Sequence, residues 1–576
     1  MKIQVSIRRM LQFAILIGLS FCFSFQIFAQ APDWEWAKSA GGIYSDGGGA
    51  ITYTSDGNLL VSGFFQESAT FDTTVLTSSL YSDLFIAKYS TAGALLWAKS
   101  VASSSSFLDP KAIFEDGSGN IYIVGLFGYW SETGGDGDIM FEDATSFTSW
   151  GNQDIFIAKY DAEGTFIWAK HIGSNQIDKV VSTMDPFGNI ILSGKLWSTT
   201  YFNSTIDSLV PRHMYDIFLA KLDTAGTFTF HRNAVSCTDV LEPQDVTTDS
   251  AGYIFLSGKY NGRPTFGLPA DSIDLEVNIY YNSGFIARYE PLIGWYTWAY
   301  TAGNASDYNF PLTVNSKGGG KIVMSGIYGT SASFGIYPDT ITLIAPPAAG
   351  YGEMYLVQYD TNGNADWAMN AGHASAGSIY FRDAYYSDDH LYVAGDYSAG
   401  PTVFGQGADA VTIPYLSVLF VANYDDTGNL VWVNVADGYS EGAESVIADA
   451  LNNIYIAGFY QDWISFPGTT ISLTSAGWND ILIARLDDIS VSIYENEIKQ
   501  NQLIYPNPAK DEVTVDIGRE INCTIRLFNL QGEAIFKTVT NARQIKIDVS
   551  NYPLGIYFIV VTDGKGYNMT KKLLKI

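Results

Sequence analysis

Few side chains in this 576-residue sequence are spaced to do chemistry. The five histidines, His171, His213, His231, His373 and His390, lie far apart and form no pair at metal-ligand spacing. Cys22, Cys237 and Cys523 are too few for a disulfide framework, and Cys237 and Cys523 are read as free thiols. No Ser/His/Asp or Cys/His nucleophile signature occurs. Asp-x-x-Gly segments begin at Asp161, Asp223, Asp360 and Asp425. Calcium needs about six to eight converging oxygens, whereas one such segment supplies a single carboxylate, and turns select Asp and Gly anyway. These segments are expected to be turns, and no metal or cofactor site is expected.

What remains is aromatic. Trp34, Trp130, Trp150, Trp197, Trp295, Trp463 and Trp478 fall outside the repeat anchor described below. Trp130, Trp197 and Trp463 stand three to five residues after a glycine that ends a β-rich run, so they occupy related positions. Exposed rings there would stack on sugars or anchor a protein partner. Trp150 and Trp478 are further loop candidates. The plainer alternative is that these rings cap sheet ends.

A repeat sets those positions. One anchor is an aromatic strand, at Trp36, Trp97, Trp168, Phe230, Trp298, Trp367 and Trp432. A second is the strand-ending glycine, at Gly63, Gly125, Gly194, Gly258, Gly326, Gly395 and Gly458. A third is the strand Phe85-Ile-Ala-Lys-Tyr89, recurring at Phe156, Phe218, Phe285, Tyr355, Phe420 and Leu482. Each copy reads as four short strands with Asp/Gly/Asn turns between them. The third-anchor strand is apolar at nearly every residue, so both of its faces are expected to be covered. The array begins with an aromatic strand at Trp36 and ends with a third-anchor strand at Leu482. Pairing those two would complete a seventh hairpin and remove two open sheet edges.

This pattern resembles the bacterial seven-bladed β-propeller repeat family over Trp34 to about Asp487, with Phe230 for Trp and the Ser316–Gly320 hairpin as departures. The Asp161 to Trp168 spacing also resembles the repeats of pyrroloquinoline quinone dehydrogenases, but those usually have eight blades and a vicinal Cys-Cys pair. A sialidase-like site would need clustered arginines. Arg212, Arg232, Arg263, Arg288, Arg382 and Arg485 are read as spread over several blades.

The two ends read as addresses. Lys2, Arg8 and Arg9, then an apolar run from Leu11 to Phe28 and small residues at Ala29 and Ala31, give residues 1–30 the layout of a secretory signal peptide. No later stretch is long and apolar enough to span a bilayer. Asp+Glu total 60 against Lys+Arg 32, a net charge of −28, which disfavours nucleic-acid binding. From Asn501 onward the balance reverses, so the acidity belongs to the body and a boundary is expected near residue 500.

The tail opens on Tyr505-Pro506-Asn507-Pro508-Ala509, continues through Leu554-Gly555-Ile556-Tyr557 and ends on Lys571-Lys572-Leu573. Its alternating β-formers between turns read as a small antiparallel sandwich. Those residues resemble the type A C-terminal sorting domain of type IX secretion in Bacteroidetes-group bacteria. The resemblance implies recognition by that secretion machinery through Tyr505, Pro506, Asn507, Pro508, Gly555, Tyr557, Lys571 and Lys572. The expected organisation is all-β: signal peptide 1–30, seven-bladed β-propeller 31–487 closed by its N- and C-terminal strands, linker 488–500 and sorting sandwich 501–576. The expected protein is a secreted or surface monomer, a non-catalytic scaffold recognising a protein or glycan. The alternative is a secreted hydrolase or lyase with its site in the propeller channel.

Overall fold

The computed structural model describes residues 31–487 and 504–576, except 105–106, 130–136, 177–178, 204–205, 268–270, 277, 304–307, 337, 347–351, 375–377, 399–400, 408–409, 414–416, 517–522, 530–533 and 564–567. The expected signal peptide, the linker and Trp130 lie outside the described residues. The described chain is all-β, without an α-helix, and no helix among its described residues is long and apolar enough to cross a membrane. It divides into two compact units, Met1–Asp488 and Ile489–Ile576.

The body is a succession of four-stranded antiparallel meanders, the blades of a propeller fold. In the first, Gly47–Tyr53, Asn58–Phe71, Thr74–Ser90 and Leu95–Ser104 pair in that order. The same ladder recurs from Phe107, Val180, Leu241, Asn309 and Ser378. The last begins in the second part of Leu430–Ala448 and continues through Ile454–Ser465 and Ser472–Asp487. Its outer strand is Asp33–Gly41, antiparallel to Ser472–Asp487, with Trp36 opposite Arg485 and Ala37 opposite Ala484.

The repeat residues have direct physical reasons. In the first blade Gly63 lies opposite Phe85, and a Cβ at Gly63 would stand 2.6 Å from the Phe85 ring. The glycine is the space into which the neighbouring ring folds. The anchor tryptophan meets the next blade. A Cβ on Gly93, at φ +78°, would lie 2.8 Å from Trp36. Gly164 with Trp97, Gly226 with Trp168, Gly294 with Phe230 and Gly428 with Trp367 repeat this contact. Each ring therefore slides under the turn of the following blade. Apolar clusters join consecutive blades, and one of them packs Ile447, Tyr455 and Ile483 of the last blade against Ile51, Val61 and Phe85 of the first.

The connection between the second and third strands forms a short hairpin of its own. It extends the outer edge of the preceding blade: Ala40 pairs with Phe71, Ala102 with Phe141, Ile172 with Phe202, Val235 with Phe266 and Gly372 with Phe404. An otherwise open edge is covered in this way.

The tail unit packs a three-stranded sheet, built from Ile504–Tyr505, Glu512–Asp516 and Gln544–Asp548, on a four-stranded one of Ala534–Thr540, Cys523–Phe528, Gly555–Asp563 and Asn568–Lys575.

Candidate functional site

The described tryptophan candidates sit in connections between second and third strands or in the extended ends of those strands. Trp197 follows Ile190–Leu196, is 37% exposed, meets Tyr215 edge-on at 5.0 Å and lies beneath Lys195 Nζ at 4.8 Å. Trp150 is packed 4.1 Å from the His171 ring and 5.4 Å from Tyr201, and its backbone N–H donates to Asp154 Oδ2 at 2.7 Å. Trp463 stands on the Ile454–Ser465 strand opposite Thr474. Trp478 is the most exposed of the four. Among the described residues no ring contact joins any two of Trp150, Trp197, Trp463 and Trp478.

The Asp-x-x-Gly segments are turns whose carboxylates are spent internally. Asp161 Oδ1 accepts the N–H groups of Glu163 and Thr165, and Asp425 Oδ1 those of Thr427 and Asn429. Asp116 and Asp185 do the same in inner hairpins and also accept the side-chain amides of Asn120 and Asn189.

A second set of acids was not singled out by sequence. It lies two residues before the third-anchor aromatic. Asp83, Asp154, Asp216 and Asp480 accept hydrogen bonds from Ser100 (2.6 Å), His171 (2.6 Å), Asn233 (3.0 Å) and Ser39 (3.0 Å), each three residues after the repeat's anchor aromatic. In the fifth blade the equivalent Asn370 is diverted, accepting from Tyr328 Oη at 2.5 Å and donating to Ile344 O at 3.3 Å. Glu353 there is fully buried and neither carboxylate oxygen has a hydrogen-bond partner, with His373 Nδ1 3.9 Å from Oε2. Burial pushes its pKa up to about 8. The recurring acid at a fixed offset was the available sequence signal.

The inner strands of the blades line one cavity of about 830 Å³. Charge gathers where the inner strands begin. Glu242 meets Lys195, Lys259 at 2.9 Å and Lys179 at 3.8 Å. Arg382 meets Asp396 at 2.5 Å and Lys111 meets Asp109 at 2.6 Å. The lysines hold Glu242 down at about 2, against the desolvation that opposes them, while burial lowers Lys179 to about 8. Deeper, Asp245 accepts the N–H groups of Val246 (2.8 Å) and of Val314 in the next blade (2.7 Å). Asp383 likewise accepts from Ala384 N (2.8 Å), Val446 N (2.9 Å) and Ser445 Oγ (3.0 Å). Desolvation raises Asp245 to about 7 and Asp383 to about 6, despite those bonds.

A second cavity, of about 230 Å³, opens between the third and fourth blades, with Arg212, His231, Arg232, Tyr289, Trp295 and Tyr296 among its walls. Arg212 and Arg232, both of the third blade, share this cavity, while the other arginines are spread over further blades. Arg288 and Arg485 stay elsewhere, over Tyr253 at 3.6 Å and against Glu35 at 2.9 Å. Arg232 occupies the lysine position of the Trp-Ala-Lys repeat. Lys99, at that position, bonds the next blade's turn at Glu163 O, and Arg232 instead meets Trp295 in that turn.

In the tail, the opening and the ending are bound together. Asn507 Nδ2 donates to Lys572 O at 2.7 Å, and Asn507 Oδ1 accepts from Leu574 N at 2.8 Å. Pro506 and Pro508 both follow cis peptide bonds. Tyr557 is buried and donates to Pro553 O at 2.8 Å. Gly555 starts the strand that pairs with Lys571 and Lys572, and Tyr505 is exposed.

Residues 503–576 match the family described as secretion system C-terminal sorting domain. Over 476 residues, 70% of this chain, the sequence is 24% identical to an uncharacterized WD repeat-containing protein, L264, of Acanthamoeba polyphaga mimivirus, and covers 33% of that protein. A stretch of 87 residues, 15% of this chain, is 31% identical to an endo-acting ulvan lyase of Formosa agariphila, 17% of whose length is covered. The chain thus spans about a third or less of these curated relatives.

Among solved structures, the quinohemoprotein alcohol dehydrogenase ADHIIG of Pseudomonas putida HK5 is 10% identical, with coverage of 84% of this chain and 80% of that one, at a TM-score of 0.33. PorZ of Porphyromonas gingivalis, described as an essential surface component of the type-IX secretion system, is 9% identical, with coverage of 94% and 100%, at a TM-score of 0.13. The sorting-domain match marks this chain as cargo of type IX secretion, delivered to the cell surface or released.

Proposed function

We propose that the exported body is a closed seven-bladed wheel that works as a non-catalytic recognition scaffold for a protein or glycan. The observation that carries this reading is the state of the channel acids. Asp245 and Asp383 each tie their own inner strand to that of the next blade through backbone amides. Carboxylates committed to such bonds serve as clamps. The exposed rings of Trp197, Trp463 and Trp478 then supply contact surface, joined by Trp150 and, from sequence alone, Trp130. The tail reading assigns Tyr505, Pro506, Asn507, Pro508, Gly555, Tyr557, Lys571 and Lys572 to recognition by the secretion machinery. The mature chain is proposed to run from about residue 31, with a linker over 488–500.

The test is a panel of glycans and surface proteins probed with the exported chain and with a Trp130→Ala/Trp197→Ala/Trp463→Ala variant. Loss of a captured partner at unchanged thermal stability supports the scaffold. Unchanged binding across the panel removes the tryptophan surface. A second reading, a hydrolase or lyase sited in the channel, draws on the raised Asp245 and Asp383. Glycan turnover abolished by Asp245→Asn or Asp383→Asn would replace the scaffold with that enzyme.

A further inference from the structure

The cavity between the third and fourth blades concentrates polar atoms that the fold leaves unused. Arg212, His231, Arg232, Asn233 and Tyr289 are among its walls, and their Nε, Nδ1, Nε, Oδ1 and Oη atoms are buried without a hydrogen-bond partner. Tyr289 is 1% exposed. The equivalent acid and ring of the second blade, Asp154 and His171, satisfy each other at 2.6 Å. Buried N–H donors without acceptors are costly, and a buried unpaired charge more so.

The two guanidinium groups differ. Arg212 is fixed: Nη1 donates to Gly267 O at 2.6 Å, Nη2 to Asn233 O at 3.4 Å, and Asp216 Oδ2 lies 3.9 Å from Nε. Arg232 makes no ion pair among the described residues. Its guanidinium carbon lies 4.5 Å from the Trp295 ring centroid, so the fork and the indole form one wall. Glu290 acts on Arg232 only at longer range, and Asp207 is taken by His231 Nε2 at 2.9 Å. Burial lowers the pKa of both arginines.

We propose that this cavity binds one anionic sugar residue, its carboxylate or sulfate on Arg232 and Tyr289 and its ring against Trp295. The proposal rests on the recognition-scaffold reading and names its ligand class. Donors in a fork match a planar or tetrahedral anion, and an indole wall suits a sugar ring. The volume, about 230 Å³, lies below the range of about 300–1,000 Å³ for drug-sized ligands and limits the occupant to one small unit.

Calorimetric titration of the full exported chain tests this, with glucuronate, glucose 6-sulfate, glucose and inorganic sulfate as probes. The expected result is that one or both anionic sugars bind at least about tenfold more tightly than glucose and than inorganic sulfate. Arg232→Gln and Trp295→Ala, each checked for an unchanged melting temperature, should each weaken that binding by about tenfold or more. Three results overturn the proposal: no anionic sugar binds better than glucose, inorganic sulfate binds as well as glucose 6-sulfate, or both variants bind like the parent. If Arg232→Gln leaves capture on the glycan and protein panel intact while anionic-sugar binding fails, only the cavity assignment falls. If the chain turns over a glycan, the scaffold reading falls whatever Arg232 does.

Discussion

Among the described residues, six outer hairpins are continuous in sequence, and another pairs strands from the two ends of the body. The continuous ones place an anchor ring beneath a glycine turn, as Trp97 lies beneath Gly164. The assembled one keeps half of this arrangement. Trp36, on the N-terminal strand, lies beneath Gly93 and donates from Nε1 to Thr91 O at 3.1 Å, just as Trp298 donates to Thr361 O at 3.0 Å. The other half is lost. Trp432 faces the place where a turn would join Asp487 to Asp33, and its buried Nε1 has no partner. Trp34 fills the site instead, meeting Phe466 at 4.7 Å and donating to Val435 O at 3.1 Å. A seam between distant segments thus reproduces the packing of a hairpin, at the loss of one hydrogen bond.

Breaking the seam should have the largest effect. Removal of residues 31–41 deletes the outer strand of the last blade and uncovers the Ser472–Asp487 edge. The truncated body should then melt at a clearly lower temperature than the intact one in calorimetry. Trp34→Ala removes a ring that is 3% exposed and should cost about 3–5 kcal/mol in denaturant unfolding.

Next is a pH effect. Asp46 and Asp245, each raised to about 7, Asp383, raised to about 6, and Glu353, raised to about 8, hold protons in the folded state that the unfolded chain has lost. The stability these four groups contribute is therefore full below pH 4 and falls as pH rises toward 8, by up to about 1.4 kcal/mol per pH unit for each, while Glu242, held at about 2, acts in the opposite sense at acid pH. Glu353→Gln should flatten the upper part of that slope in unfolding measured from pH 5 to 8. Asp154→Asn, at the partnered position, should destabilise instead.

The smallest effect sharpens the seam most. Trp36→Phe and Trp298→Phe should each lose about 0.5–1.5 kcal/mol with their indole hydrogen bonds, and Trp432→Phe should lose less.

The blades were legible because their determinants are local or periodic. A glycine opposite a folded ring and an apolar strand covered on both faces leave marks at fixed offsets. The end pairing was legible from complementary halves. The added hairpins were not: Thr200–Phe202 spans three residues, and its partner belongs to the preceding repeat. The sequence mark they leave is a phenylalanine in each, at Phe71, Phe141, Phe202, Phe266 and Phe404. The arginine cavity was hidden for a related reason. Arg212 and Arg232 belong to one blade and Trp295 to the next, so blade stacking, not spacing, unites them. The tryptophans were visible as a set, yet the structure leaves Trp150, Trp197, Trp463 and Trp478 without mutual contact.

Joining the two ends covalently tests the seam most directly. Ala37 lies opposite Ala484, and directly opposed antiparallel residues have Cα atoms about 4.5–5.5 Å apart, within disulfide reach. In the double variant Ala37→Cys/Ala484→Cys, mild oxidation should yield one peptide linking residues 37 and 484 within a single folded chain. Free thiols at both positions, or linkage only between separate molecules, would contradict the closed wheel.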